Sequence, residues 1–257
     1  MSRIASTFER LRRNNRKALV CYLTLGYPSV DATAKAVRSL VSEGCDIVEL
    51  GIPFSDPLAD GATIQRASFR ALQNGVTPQL CLDVASDLRK SVEVPLVFMT
   101  YYNPILSYGL DAFCKRCAEV GVDGLIVPDL PPEEGEELGE AAGWNSLDVI
   151  YLLAPTSTEE RIKLVAEKST GFIYLVSLTG VTGARKVLPA ETAGFVSEVR
   201  KRAKQPLCVG FGISTSEQAE RIARVADGVI VGSRLVELME DNCGKLAEFV
   251  RSLRERL

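Results

Sequence analysis

The chain has 257 residues, of which 46% are hydrophobic and 25% are charged, and its formal net charge is −3. This length suits one large domain or two small ones, and the composition is that of an ordinary globular protein. The slightly acidic balance argues against a nucleic-acid-binding protein, which would carry a concentrated basic face. No run approaches the ~18 apolar residues of a membrane span, and the first residues match neither a signal peptide nor a transit peptide.

The sequence contains no histidine. This excludes a histidine base, a histidine triad and a histidine-ligated metal, so proton transfer must use other groups. The seven cysteines lie mostly in apolar runs, as expected of buried, reduced thiols in a cytoplasmic protein. Cys114 and Cys117 have the C-x-x-C spacing, but no second ligand pair or thioredoxin-like context accompanies them, and we predict no metal site.

Short apolar runs alternate with helical patterns along the chain. Such runs are typical of strands that are buried on both faces. We predict eight strands, at 18–23, 47–50, 95–100, 124–127, 148–152, 171–176, 207–209 and 228–231.

Helical patterns fill the segments between the strands. Ser29 with Asp31 in the first turn, and Thr77 followed by Pro78, are signals of helix starts. The predicted helices span 4–14, 29–43, 62–74, 77–90, 109–120, 132–142, 158–168, 189–203, 214–224 and 233–257, the last with a break near 242–244.

Strands that alternate with helices predict an α/β protein, and eight repeats favour a (β/α)8 TIM barrel formed by one domain over residues 1–257. The helix at 4–14 is then an extra N-terminal element, and the helix at 62–74 is an insertion after strand two. A doubly wound open sheet is the second choice. The site of such a barrel lies where strands end, and the loops at 51–61 and 177–188 are long enough to contribute to it.

Glu49 lies next to the end of the second predicted strand, among Ile47, Val48 and Leu50. A carboxylate in such surroundings pays a desolvation cost unless it is paired or functional. Its side chain could point into the barrel or toward the helices, and either a structural or a functional role is compatible with the pattern. The functional role explains more, because a desolvated glutamate has a raised pKa and can transfer protons near pH 7.

Two aspartates follow Glu49 in the loop. Asp56 in "SDP" and Asp60 in "ADG" both occur in patterns typical of turns. Asp60 lies beside Leu58 and Ala59, where an apolar substrate could bind, so we favour it as the chemical partner of Glu49. Asp56 is then a loop-shaping residue. No lysine stands at the end of a predicted strand, which disfavours a Schiff-base aldolase.

Glycine turns follow the last two predicted strands, in "VGFGIS" at 209–214 and "VGSRL" at 231–235. Backbone N–H groups at such turns, with the helix N-termini that they open, form the usual phosphate site of a TIM barrel. The loop after strand six, "SLTGVTGARK", could cover the ligand and donate the N–H of Gly183, although a simple surface loop is equally compatible with its composition.

Six motifs, in order along nearly the whole chain, resemble those of the tryptophan synthase alpha subunit family. They are "ELGIPFSDPLADGATIQ", "YYNPILSYG", "GLIVPDLPPEE", "YLVSLTGVTGAR", "GFGIS" and "VGSRLVE". The resemblance implies a (β/α)8 barrel that cleaves indole-3-glycerol phosphate to indole and glyceraldehyde 3-phosphate. Ala62 departs from the family, where proline is common, and so does Leu178, where many bacterial members have arginine.

The resemblance also implies roles for individual residues. Glu49 would be the proton-transfer residue and Asp60 the contact of the indole N–H, with Thr182 positioning Asp60 when the loops close. Tyr174 would lie near Glu49, and the apolar wall around the indole would come from candidates Tyr22, Phe211, Leu125 and Ile64. The phosphate-binding positions carried over from the family are Gly183, Gly212, Gly232 and Ser233.

The family works as an alpha2-beta2 complex in which a beta subunit uses pyridoxal phosphate to join indole to serine. The resemblance therefore implies a beta-subunit partner, no cofactor in this chain, and a cytoplasmic location, or an organellar stroma if a transit peptide was removed. The contact surface would surround the barrel mouth at 53–62, 103–109 and 129–134.

Three other functions stay open at this point. They are a free-standing lyase that releases indole without a beta subunit, an inactive barrel that serves as a binding partner, and a different phosphate-binding barrel such as an isomerase. The presence of both Glu49 and Asp60 argues against the inactive barrel.

Overall fold

The structure is a computed structural model that describes residues 1–176, 190–210, 212–241 and 243–257. Within these residues, no helix combines the length and the apolar character that crossing a membrane would need.

The described residues form nine parallel strands that surround a common axis. The strands are β1 (Ala18–Thr24), β2 (Ile47–Gly51), β3 (Leu96–Met99), β4 (Gly124–Ile126), β5 (Asp148–Ile150), β6 (Leu152–Leu153), β7 (Ile173–Val176), β8 (Leu207–Gly210) and β9 (Gly228–Val231). Their spatial order is β5-β4-β3-β2-β1-β9-β8-β7-β6.

The two ends of this order, β5 and β6, are separated in sequence by Tyr151 alone. They are therefore two halves of one barrel strand, and the sheet closes through Tyr151, whose carbonyl accepts the Tyr174 N–H at 3.1 Å. Eight barrel strands result, which confirms the predicted (β/α)8 TIM barrel. The alternative of an open doubly wound sheet is wrong.

Helices cover the barrel between the strands. They are α1 (Arg3–Arg13), α2 (Val30–Ser42), α3 (Ala62–Gln73), α4 (Pro78–Arg89), α5 (Tyr102–Tyr108), α6 (Leu110–Glu119), α7 (Glu136–Trp144), α8 (Glu159–Lys168), α9 (Ala190–Arg200), α10 (Ser216–Ala223), α11 (Ser233–Asp241) and α12 (Cys243–Arg254). The extra helix before strand one is α1, and the insertion after strand two is α3.

Two helices differ from the sequence prediction. Helix α5 occupies 102–108, where we predicted neither a helix nor a strand, and Pro104 fits there because it lies in the first helical turn, where no N–H is needed. Helix α7 begins at Glu136 rather than near 132, after a turn in which the Glu134 N–H donates to the Pro131 carbonyl.

The barrel interior is apolar at the end where the strands begin. Inward side chains from the strands pack with Ile4, Phe8 and Leu11 of α1, and the rings of Phe8 and Phe172 are 6.0 Å apart. Helix α1 therefore closes this end of the barrel, which leaves the mouth at the strand ends as the place for a site.

A buried or half-buried aspartate directly precedes each of three strands and accepts a hydrogen bond from the neighbouring strand. The carboxylates of Asp46, Asp123 and Asp227 accept the backbone N–H of Leu19, Leu96 and Leu207, at 3.0, 2.8 and 2.8 Å respectively. Each also pairs with an arginine from a surrounding helix, namely Arg254, Arg89 and Arg200. These contacts fix the strand starts relative to the helices.

Candidate active site

Glu49 lies on the inner face of β2. In the strand, Ile47 packs in the barrel interior whereas Val48 and Leu50 pack against the helices, so alternation directs Glu49 inward. Its side chain is 1% exposed, and neither carboxylate oxygen has a hydrogen-bond partner among the residues that the structure describes. A buried acid without a partner is expensive for stability, which points to chemistry.

Burial is the main cause of an altered acidity at Glu49. Desolvation, with a further contribution from the negative charge of Asp60, raises the pKa of Glu49 to about 8. Glu49 is therefore protonated at neutral pH and can both give and take a proton there.

Asp60 lies in the loop between β2 and α3, at the barrel mouth. Its backbone is held by its N–H, which donates to the Pro57 carbonyl at 3.0 Å, and by the Gln65 side-chain amide, which donates to the Asp60 carbonyl at 2.9 Å. The Tyr101 hydroxyl is 3.3 Å from its carboxylate Oδ2. Desolvation, partly offset by this hydrogen bond, raises the pKa of Asp60 to about 6.

Asp56 is exposed on the same loop. Its carboxylate accepts the Ser55 hydroxyl, and its carbonyl accepts the Leu58 N–H at 2.9 Å. These local bonds fit the predicted loop-shaping role, and the structure brings Asp60, not Asp56, into electrostatic contact with Glu49.

Tyr22 and Tyr174 are buried at the mouth and lie across glycines of the neighbouring strands. A Cβ atom on Gly51 would lie 2.2 Å from the Tyr22 hydroxyl oxygen, and one on Gly210 would lie 2.4 Å from that of Tyr174. The two glycines are therefore required for the two rings to reach over the strand ends. Desolvation raises the pKa of both tyrosines well above the usual range, so both phenols stay protonated.

An apolar cluster lies beside Tyr22. It contains Tyr27, Ala67 and Val236, with Ile64 and Met99 packed against it. Ile64 therefore lies beside Tyr22, and its part in the indole wall stays a prediction. Leu125 is wrong as a wall residue, because it packs between the barrel and the helices, and its neighbour Ile126 is the inward residue of β4.

Three of the expected phosphate positions lie in the described residues, all after the last two strands. Gly212 has φ +74°, a conformation that favours glycine, and Gly232 precedes α11, which Ser233 begins. The Gly232 carbonyl accepts the N–H groups of Leu235 and Val236 at 2.7 and 3.1 Å. The first N–H groups of a helix have no partner within it, so this N-terminus can accept an anion.

The other expected contacts fall outside the described residues. These are Thr182 and Gly183 in the loop after β7, and Phe211 after β8. They stay predictions.

Sequence reasoning missed Tyr101, Met99, Gly51 and Gly210 in this site. A signal existed for Tyr101, because it follows the end of a strand, where site residues of a barrel gather. The two glycines also stand at strand ends, where glycine often marks the close approach of another group.

The family model for the tryptophan synthase alpha chain matches residues 8–256. The chain belongs to the tryptophan synthase alpha chain family. It is 57% identical to the tryptophan synthase alpha chain of Dehalococcoides mccartyi over 259 aligned positions, which cover 100% of both chains. It is 49% identical to the alpha chain of Geobacter sulfurreducens, with 100% of this chain and 99% of that one covered.

Solved structures agree with this assignment. A crystal structure of tryptophan synthase subunit alpha from Legionella pneumophila has a TM-score of 0.93 at 38% identity, with 100% of this chain and 98% of that one covered. A chain in a structure of Mycobacterium tuberculosis tryptophan synthase has a TM-score of 0.94 at 42% identity, with 99% and 98% covered.

As a tryptophan synthase alpha chain, the protein is a lyase of tryptophan biosynthesis that cleaves indole-3-glycerol phosphate. The comparisons support the alpha-subunit role rather than the free-standing lyase. Across the described part of the chain, no three His, Cys, Asp or Glu residues cluster so that they could hold a metal ion.

Proposed function

We propose that this chain cleaves indole-3-glycerol phosphate to indole and D-glyceraldehyde 3-phosphate with Glu49 as the proton-transfer group and Asp60 as the electrostatic stabiliser. The observation that carries the proposal is Glu49 itself, an inward carboxyl group at the barrel mouth without a hydrogen-bond partner among the described residues. Its pKa of about 8 keeps it protonated at neutral pH, whereas the pKa of about 6 leaves Asp60 mostly ionised.

The reaction needs two proton transfers and one carbon–carbon cleavage. Protonated Glu49 first donates to C3 of the indole, which places positive charge on the ring nitrogen. The ionised carboxylate of Asp60 stabilises that charge, since a fixed charge in a dry site needs no reorganisation.

The bond between C3 and the carbinol carbon then breaks. Its electron pair returns to the ring and neutralises the nitrogen, while the carbinol hydroxyl loses its proton to the Glu49 carboxylate and becomes the aldehyde. Glu49 is again protonated, so one residue acts first as acid and then as base.

Binding the substrate requires an apolar wall for the indole and N–H groups for the phosphate. We assign Tyr22 and Tyr174 to the substrate pocket, and Gly212, Gly232 and Ser233 to the phosphate. Thr182, Gly183 and Phe211 are proposed for the same pocket from the family resemblance.

The partner we propose is a tryptophan synthase beta subunit, in an alpha2-beta2 complex that covers the barrel mouth. The cleavage uses carboxyl groups only, so this chain needs no cofactor for it, and pyridoxal phosphate belongs to the beta subunit. A cytoplasmic location is supported by the bacterial relatives and by the six described cysteines, all of which are buried free thiols.

The test is the variant Glu49→Gln, assayed for indole release by the isolated chain. Glutamine has nearly the same shape but cannot transfer the proton, so we expect activity to fall by at least about 100-fold, as for loss of a general acid–base group. Circular dichroism and substrate binding should be unchanged.

Asp56→Asn is the matched control, because it also removes a carboxylate from this part of the chain but at an exposed loop position. We expect less than about threefold change in the isolated chain, as for a surface substitution away from the chemistry. Full activity of Glu49→Gln, or a larger loss in Asp56→Asn, would contradict the assignment.

A further inference from the structure

The hydroxyl of Tyr101 bridges two successive residues of the Asp60 loop. It lies 2.8 Å from the Ala59 N–H and 3.3 Å from the Asp60 Oδ2. The Ala59 N–H can only donate, so the hydroxyl accepts there and its own proton is available to the carboxylate. The hydroxyl thus accepts one hydrogen bond from the loop backbone and donates one to the Asp60 carboxylate.

The position of this hydroxyl is set by elements outside the loop. Tyr101 is the second residue after β3 and directly precedes α5, and the next N–H, of Tyr102, donates to the Asp129 carboxylate at 2.9 Å. The Tyr101 side chain is only 5% exposed, and its ring packs on that of Phe54 with centroids 5.2 Å apart. A buried ring between two ordered elements is a rigid support for a loop carboxylate.

We propose that Tyr101 is a positioning residue that holds the Asp60 carboxylate in the orientation needed to stabilise positive charge on the indole nitrogen. The inference rests on the proposed role of Asp60. Among the described residues, the other two bonds of Asp60, to Pro57 and Gln65, hold its backbone and do not constrain the carboxylate. The Tyr101 hydroxyl constrains the carboxylate itself.

Orientation matters because a carboxylate lowers the barrier only when it is fixed before the charge develops. Within the described part of the chain, the ionisable groups in electrostatic contact with Asp60 are Glu49 from β2, Tyr22 from β1, Tyr174 from β7 and Tyr101. Near neutral pH all four are protonated and uncharged, so the hydrogen bond from Tyr101 is the directional interaction in this set.

The first experiment is Tyr101→Phe, which keeps the ring and removes the hydroxyl. We expect kcat for indole release to fall about 10- to 100-fold, the range for losing one hydrogen bond to a charged group, with KM changed by less than about threefold. The hydrogen bond also lowers the pKa of Asp60, so its loss should move the acidic limb of the rate profile to higher pH.

Tyr108→Phe is the matched control. It removes another tyrosine hydroxyl from the same helical segment, and with it a 2.8 Å hydrogen bond to Gln79, but it does not touch the loop. In the isolated chain, without a beta subunit, we expect its kcat, its KM and the acidic limb of its rate profile to equal those of the unaltered chain.

A double-mutant comparison separates positioning from general damage. In the Asp60→Asn background, adding Tyr101→Phe should lower kcat by less than about threefold, because the carboxylate that Tyr101 orients is already absent. If the reduction in kcat of the double variant equals the product of the reductions in the two single variants, Tyr101 does not act through Asp60 and the inference is overturned. Full activity of Tyr101→Phe alone overturns it too, whereas full activity of Asp60→Asn overturns the proposed function itself.

A second variant covers the case in which Tyr101→Phe folds poorly. Phe54→Leu retains the hydroxyl and loosens the ring, and it should lower kcat of the isolated chain in the same direction but by less. Unchanged kinetics in that variant would also count against Tyr101 as a rigid support.

Discussion

Glu49 and Asp60 are held in different protonation states by their surroundings. Glu49 is enclosed in the barrel and feels the charge of Asp60, so its pKa rises to about 8, while the Tyr101 hydroxyl and partial exposure leave that of Asp60 at about 6. Two carboxyl groups can thus take an acid role and a charged role in one site at the same pH.

The pH dependence of kcat/KM follows from these two groups. Below pH about 6 Asp60 becomes protonated and loses the charge that stabilises the indole nitrogen, and above about 8 Glu49 loses the proton that it must donate. We expect a bell-shaped profile between these limits, measured as indole release by the isolated chain. A flat profile from pH 5 to 9 would contradict both roles.

Asp60→Asn tests the link between the two groups. The charge of Asp60 contributes to the raised pKa of Glu49, so its removal should lower that pKa and move the alkaline limb to lower pH. The substrate phosphate titrates at about pH 6, so the pH dependence of substrate binding is measured in parallel and subtracted. An alkaline limb that stays in place would show that Glu49 does not sense Asp60.

Arginines from the surrounding helices secure the strand starts of the barrel. The side chain of Arg254 in α12 is 9% exposed, pairs with Asp46 at 2.7 Å and donates to the Lys17 carbonyl at 3.0 Å. Arg254→Met leaves Asp46 buried without its main partner, so we expect unfolding in urea to require about 3 kcal/mol less free energy. The kcat of the folded protein should be unchanged, because the pair lies at the end opposite to the mouth.

Arg251→Met is the control for this change. Arg251 belongs to the same helix and pairs with Glu43 at 2.8 Å, but the pair lies near the surface and its arginine is exposed. Surface pairs contribute less than about 1 kcal/mol, so the two variants should differ clearly. Equal losses would mean that burial of the Asp46 pair is not what matters.

At the scale of helices and strands, the sequence predicts the order well and the side-chain geometry poorly. Strands buried on both faces are visible as apolar runs, and capping residues such as Ser29 and Thr77 mark helix starts. The inward direction of Glu49 was not predictable, because both faces of its strand are apolar. Helix α5 was hidden for another reason, since its first N–H is bound by Asp129, far along the chain.

The site shows the same division. Glu49 and Asp60 could be chosen from their place at a strand end and in its loop, whereas the contact of Tyr101 with Asp60 joins two loops that no local pattern connects. The wrong choice of Leu125 over Ile126 has a similar cause. A shift of one residue reverses the face of a strand, and two adjacent apolar residues do not reveal which is inward.

Across the whole molecule, large apolar side chains are exposed at both ends of the barrel. Leu58 and Leu106 are 90% and 49% exposed at the mouth, whereas Trp144 is 78% exposed near the strand starts. Only the mouth belongs to the surface proposed for the beta subunit.

Leu106→Glu should therefore weaken binding of a beta subunit by at least about 10-fold, because a charge would be buried at the interface. Trp144→Glu should leave the affinity unchanged, and both variants should keep the indole-release rate of the isolated chain. Calorimetric titration with the beta subunit measures the difference. A stronger effect from Trp144→Glu would place the partner at the other end.

Because α1 closes one end of the barrel, it determines the route by which substrate and products enter and leave. Ile4, Phe8 and Leu11 pack into the barrel interior, so that end offers no exit. Substrate must then enter, and both products must leave, through the same opening at the mouth of the barrel. A protein that binds over this opening therefore controls the order in which substrate and products pass. It also contacts the released indole before the indole reaches the surrounding water.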